Sequence, residues 1–171
     1  MEFNETEKKK IAHLRTRYPD SRSLTLPLMW MIQKRKGFVS DEAVALIATE
    51  LELPKIWVEE VRSWYSMFSE KQTGKYVLEV CNNISCALMG SQEIIDHICS
   101  VLKIKVGETT ADGMFTLKTA ECLGSCGTAP MMQVGDRYYE LLTEEKVDQI
   151  LEDLKNNTQP EQKPQQWPEY K

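Results

Sequence analysis

Two pairs of cysteines constrain this chain more than any other feature: Cys81 with Cys86, and Cys122 with Cys126. Four residues separate the first pair, three the second, and 35 lie between the pairs. The stretches Lys75 to Val80 and Phe115 to Ala120 read as strands, the second following an Asp112-Gly113 turn. Each pair therefore sits on a loop leaving a strand. Two such loops at one end of one sheet can converge on a common centre, and that geometry suits four ligands.

Two kinds of centre fit the spacing. A 2Fe-2S cluster takes two thiolates per iron, with Cys81 and Cys86 serving one iron and Cys122 and Cys126 the other. A four-cysteine zinc site tolerates similar gaps and would make the chain a zinc-stabilised interaction module. A cluster held by four thiolates is anionic and becomes more so on reduction, so it needs donors nearby. Gly124, Ser125, Gly127 and Thr128 at the second pair, and Asn82, Asn83 and Ser85 at the first, are small or polar enough to let donors approach sulfur. A helix expected over Leu88 to Lys103 would point its positive end at Cys86. Cys99, inside that helix, reads as a core residue, and His97 and His13 read as solvated rather than as ligands. No C-x-x-C pair marks a thioredoxin-type redox site, and no glycine-rich phosphate loop marks a nucleotide site.

The fold class implied is α+β. Before the cysteines, four helices are expected: residues 5 to 17, residues 24 to 36 capped by Ser23 and stopped by Gly37, a third opened by Ser40 and running to Leu51, and a fourth from Pro54 to Phe68. The fourth carries Trp57, Val61, Trp64, Tyr65 and Phe68 as one broad aromatic face. They form a small bundle over residues 1–73, closed by the polar linker Ser69 to Gly74. Residues 74–155 follow as β, α, β, β, α, with short strands Pro130 to Val134 and Tyr138 to Leu141 and a last helix capped by Thr143. Residues 156–171 are a flexible Pro-rich tail, whose Trp167 and Tyr170 are expected to anchor on a partner.

The net charge of -5 argues against nucleic acid as the main ligand. The longest apolar run, Leu26 to Ile32, is too short to insert in a membrane. The N-terminal residues resemble neither a secretory signal nor a transit peptide, giving a cytoplasmic, bacterial reading in which thiols stay reduced and act as ligands or core.

The residues together resemble a known family, the E-type subunits of NADH:quinone oxidoreductase, respiratory complex I. The resemblance runs through Leu26-Pro27-Leu28, Trp64-Tyr65-Ser66-Met67-Phe68, the segment Cys81 to Cys86, and Glu121 to Pro130. It implies a thioredoxin-like ferredoxin domain behind the helical bundle, with a 2Fe-2S cluster on Cys81, Cys86, Cys122 and Cys126 and no complete active site on this chain alone. It also implies a hetero-oligomer: a partner subunit holding FMN and NADH, which exchanges one electron with the cluster, and a large multi-cluster iron-sulfur subunit. Attachment to the inner membrane would then be peripheral, through partners. An equivalent subunit of a soluble NAD-linked hydrogenase or formate dehydrogenase is the alternative. Pro130 resembles the position where thioredoxin-like folds place a cis-proline.

Overall fold

The computed structural model describes residues 1–157, so Trp167 and Tyr170, with their expected anchoring role, lie outside the described residues. The chain falls into two compact units, Met1–Gln72 and a second beginning at Thr73.

The first unit is helical. Helix α1, Glu5–Arg17, opens with a reciprocal cap: Glu7 N donates to Asn4 Oδ1 at 2.8 Å and Asn4 N donates to Glu7 Oε2 at 2.9 Å. The second helix starts differently from expectation. Ser23 does not cap it; Asp20 instead caps the turn before it, accepting from Arg22 N at 2.8 Å, and α2 itself has no side-chain cap. The chain first winds into a 3₁₀ turn, Ser21–Leu24, before α2, Thr25–Lys36. Pro27 falls in the first turn of α2, where a missing N–H costs nothing, and Gly37 ends the helix at a φ of 85°. Ser40 caps α3, Asp41–Leu51, as expected.

Helix α4, Lys55–Trp64, ends before Phe68 is reached. Tyr65 is extended, the chain turns, and Phe68 drops separately into the core. The expected single aromatic face therefore divides. Val58 and Arg62 point inward, while Trp64 is 81% exposed and Trp57 41%. The two stripes adjoin on the helix, and spacing alone does not say which one turns inward. Arg62 is the polar centre of this unit. Its side chain is 6% exposed and its guanidinium donates to Val39 O at 2.9 Å, Asp41 Oδ1 at 2.8 Å and Glu59 Oε1 at 2.6 Å.

The second unit is built on strands β1 Tyr76–Cys81, β2 Phe115–Ala120, β3 Met132–Val134 and β4 Arg137–Tyr139, in the order β2-β1-β3-β4. Strands β1 and β2 are parallel with Cys81 opposite Ala120, and the other neighbours are antiparallel. The parallel pair matters most, because the loops after both strands leave from the same edge. Between β1 and β2 the helix expected over Leu88 to Lys103 is α6, Ser91–Leu102, and a short helix that was not expected, α5 Ile84–Leu88, precedes it, separated by Gly90 at a φ of 89°. After β4 comes α7, Glu144–Lys155, capped by Thr143 as expected. Leu78 and Val80 of β1 and Phe115 and Leu117 of β2 share one core with Ile98 of α6 and Ile150 of α7.

Other details set the limits of this unit. His97 is not solvated as expected: its side chain is 17% exposed and joins α6 to α7 through Asp148 Oδ1 at 2.8 Å. Cys99 is partly buried against the core, as expected. Glu79 alternates with Leu78 and Val80 and so lies on the opposite face of β1, beside Lys118; burial pushes its carboxyl above the usual range and Lys118 opposes that. At the entrance a Cβ on Gly74 would lie 2.8 Å from the Phe115 carbonyl carbon, so only glycine fits. Lys75 Nζ and Tyr76 OH both donate to Asn157 Oδ1, at 2.9 and 2.7 Å, tying the first residues of the unit to the end of α7. No helix among the described residues is long and apolar enough to cross a membrane.

Candidate metal centre

Cys81 is the last residue of β1, so its position is set by the sheet. Its backbone N–H donates to Met131 O at 3.1 Å, which fixes it against the chain entering β3. Two residues on, Asn83 caps α5 through its side-chain oxygen, and the single helical turn that follows carries Cys86 back toward Cys81. The helix bearing Cys86 is thus this short α5; the helix that begins beyond Leu88 does not contain it. Cys81 and Cys86 are each 2% exposed and pack with Ala129 and Met131 in a small apolar cluster of their own.

The second pair follows β2. Gly124, at a φ of 83°, lets the chain reverse tightly between Cys122 and Cys126, and Cys126 opens a 3₁₀ turn to Thr128. Both thiols are exposed, and their sulfurs lie 3.7 Å apart. Two thiolates on one tetrahedral metal, with bonds of about 2.3 Å, stand about 3.8 Å apart, whereas a disulfide needs about 2.05 Å. The Ala129–Pro130 bond just beyond is cis, in line with the resemblance at Pro130.

The thiols also affect one another electrostatically. Burial, followed by the neighbouring Cys81 thiol, pushes Cys86 up to about 11. Cys126 is raised by its hydrogen bond with Cys122, against which the Ser85 hydroxyl works by donating to it. Gathering thiols in this way disfavours thiolates until a cation arrives to replace their protons. The two pairs also act on each other: the Cys126 thiol raises Cys86 and the Cys81 thiol raises Cys126, so the four sulfurs share one neighbourhood. Four such thiols suit two irons bridged by sulfide.

Two parts of the site were not legible in the sequence. Ser125 and Thr128, expected to let donors approach sulfur, also place their hydroxyls on Oε1 of Glu140; the Thr128 distance is 2.6 Å. Those two hydrogen bonds hold the Glu140 carboxyl below the usual range. Tyr138 reaches the same loop, its hydroxyl donating to Leu123 O at 2.6 Å. Around the thiols, Ile84, Leu88, Met89 and Leu141 are exposed, between 60% and 81%.

A sheet with one parallel and two antiparallel pairings, with one pair of thiols at the end of β1 and in α5 and the other on the loop after β2, is that of a thioredoxin-like ferredoxin. The chain belongs to the thioredoxin-like [2Fe-2S] ferredoxin family, whose pattern matches residues 11–155. Among its relatives is the second E-type NADH-quinone oxidoreductase subunit of Rhizobium meliloti (strain 1021), 39% identical over 150 residues that cover 88% of this chain and 89% of that one. Another is the E-type NADH-quinone oxidoreductase subunit of Rickettsia felis, 41% identical over 144 residues, covering 82% of this chain and 86% of that one. Among solved structures, an NAD+-reducing [NiFe]-hydrogenase in the H2-reduced state shares the fold at a TM-score of 0.66 and 21% identity. That likeness covers 82% of this chain but 24% of the hydrogenase chain.

Proposed function

We propose that this chain is the 2Fe-2S electron-transfer subunit of an NADH-oxidising assembly of the NADH-quinone oxidoreductase type. The observation that carries the reading is the two thiol pairs that follow the adjoining parallel strands, in a chain about as long as the E-type relatives it matches. Cys81 and Cys86 would hold one iron and Cys122 and Cys126 the other. The cluster supplies storage for one electron at a time. The chain's own residues do the rest. The buried pair anchors the site to the sheet edge, and the exposed pair presents it at the surface.

The exposed apolar residues beside the thiols support a partner surface over the site, because a free-standing protein gains nothing from Ile84, Leu88 and Met89 in water. We assign to that partner the FMN and NADH sites that this chain lacks a glycine-rich loop to provide. A multi-cluster iron-sulfur subunit would receive the complex beyond it, and attachment to the inner membrane would be through partners. The hydrogenase likeness keeps one second reading in view, the same part in a soluble NAD-linked hydrogenase.

The test is purification from the native host with whatever travels alongside, then iron, sulfide, zinc and flavin analysis and electron paramagnetic resonance after adding NADH. The reading expects two irons and two sulfides per chain, a reduced-state signal, and an FMN-bearing companion. A colourless preparation with one zinc per chain would overturn it, and a nickel-bearing companion would move it to the hydrogenase.

A further inference from the structure

The second cysteine loop is held from outside itself. Oε1 of Glu140, fifteen residues beyond Ser125, accepts from the Ser125 and Thr128 hydroxyls, which are themselves 2.8 Å apart. Each hydroxyl has one proton to give, and an ionised carboxylate is the strongest acceptor within reach of either, although Thr128 Oγ1 also lies 3.1 Å from Ser125 O. Next to these bonds Leu141 N donates to Thr128 O at 2.8 Å, Leu142 N to Pro130 O at 2.9 Å, and Tyr138 OH to Leu123 O. The segment from Tyr138 to Leu142 therefore fastens the loop between and after its two thiols. Cys122 and Cys126 need such a hold, because they are exposed and no strand or α-helix carries them.

We propose that Glu140 is the positioning residue of the exposed thiol pair: its carboxylate gathers Ser125 and Thr128 and sets the turn on which Cys122 and Cys126 meet the iron. The inference rests on the cluster reading above. Glu140 touches no ligand atom and acts through the loop. Carboxylate and amide oxygen both accept hydrogen bonds, so Glu140→Gln keeps the acceptor while removing the charge, and Glu140→Ala removes both.

The experiment uses the full chain, loaded with cluster and then stripped. With cluster, Glu140→Ala should lose its visible absorbance to a chelator about tenfold faster than wild type and broaden the reduced-state resonance, with unchanged far-ultraviolet circular dichroism. Glu140→Gln should retain both close to wild type. Without cluster, hydrogen exchange at the Leu141 amide should quicken about tenfold in Glu140→Ala and little in Glu140→Gln. If Glu140→Ala fails to fold, the Ser125→Ala, Thr128→Ala double variant must show the same cluster loss. Wild-type cluster retention and wild-type exchange in a folded alanine variant would overturn the proposal. A wild-type chain that never takes up iron and sulfide would sink the cluster reading instead, and the positioning role would then stand or fall on the exchange rates.

Discussion

Replacing Arg62 by Met would show how much of the first unit's stability rests on one buried cation. Met keeps an unbranched stem in the space of the Arg62 stem but offers no donor, so packing changes least while every hydrogen bond is lost. Val39, 0% exposed, is left with a buried carbonyl that has lost the Arg62 donor, worth about 1–3 kcal/mol. Glu59, with its side chain 32% exposed, loses a close ionic partner, adding about 1 kcal/mol. Asp41, 79% exposed, is solvated either way and contributes little. The total comes to about 3 kcal/mol, in line with breaking a buried ion pair. Trp30, Trp57 and Trp64 all lie in this unit, so urea unfolding followed by tryptophan fluorescence reads it directly once Trp167 is changed to Phe. The midpoint should fall sharply while cluster absorbance, reporting on the second unit, holds to its wild-type midpoint. A loss below about 1 kcal/mol would mean that water or another donor satisfies the Val39 carbonyl, and that burial of Arg62 does not set the cost.

Cys122→Ser should reduce cluster content at least about tenfold and leave the helical unit folded, whereas Cys99→Ala should leave the reduced-state signal intact; loss of that signal in a folded Cys99 variant would mean the ligands are wrongly assigned. Trp64→Ala, at a side chain 81% exposed, should change the chain's own stability by less than about 0.5 kcal/mol yet weaken binding to the proposed flavin-bearing partner about tenfold, as read by titration calorimetry; unchanged affinity would mean that Trp64 takes no part in that binding. Glu79→Gln tests the raised carboxyl. A raised folded value means the folded state holds its proton more tightly than the unfolded chain, so stability present below the unfolded value is lost as pH rises through the folded one. The glutamine variant should accordingly gain on wild type from about pH 4 toward pH 7, and parallel pH profiles in chemical denaturation would contradict it.

The cysteine loops were legible because strand, turn and ligand signals lie within a few residues of one another. Phe115–Ala120 follows an Asp-Gly turn, and Cys122 and Cys126 follow the strand directly. The register that puts Cys81 beside Ala120 was not legible, since pairing depends on chain far away. The helix expected over 88 to 103 is α6, but the short α5 before it was not legible: five residues are too few for a helical period to show. His97 was misjudged because its partner Asp148 comes from a helix fifty-one residues later. Glu140 left no local signal at all. It stands among strand and turn residues like any surface acid, and only the fold places it against Ser125 and Thr128.

The knot of hydrogen bonds joining Lys75 and Tyr76 to Asn157 bears on how this part travels between proteins. A unit whose entrance and exit are fastened at one spot behaves as a cassette: a longer polypeptide can carry it as an excursion without reopening its core. Lys75 and Asn157 meet at the end of β1 opposite Cys81, so the two ends of this unit join away from its thiol-bearing edge. A hydrogenase chain of which this fold is 24% shows the same architecture housed inside something much larger.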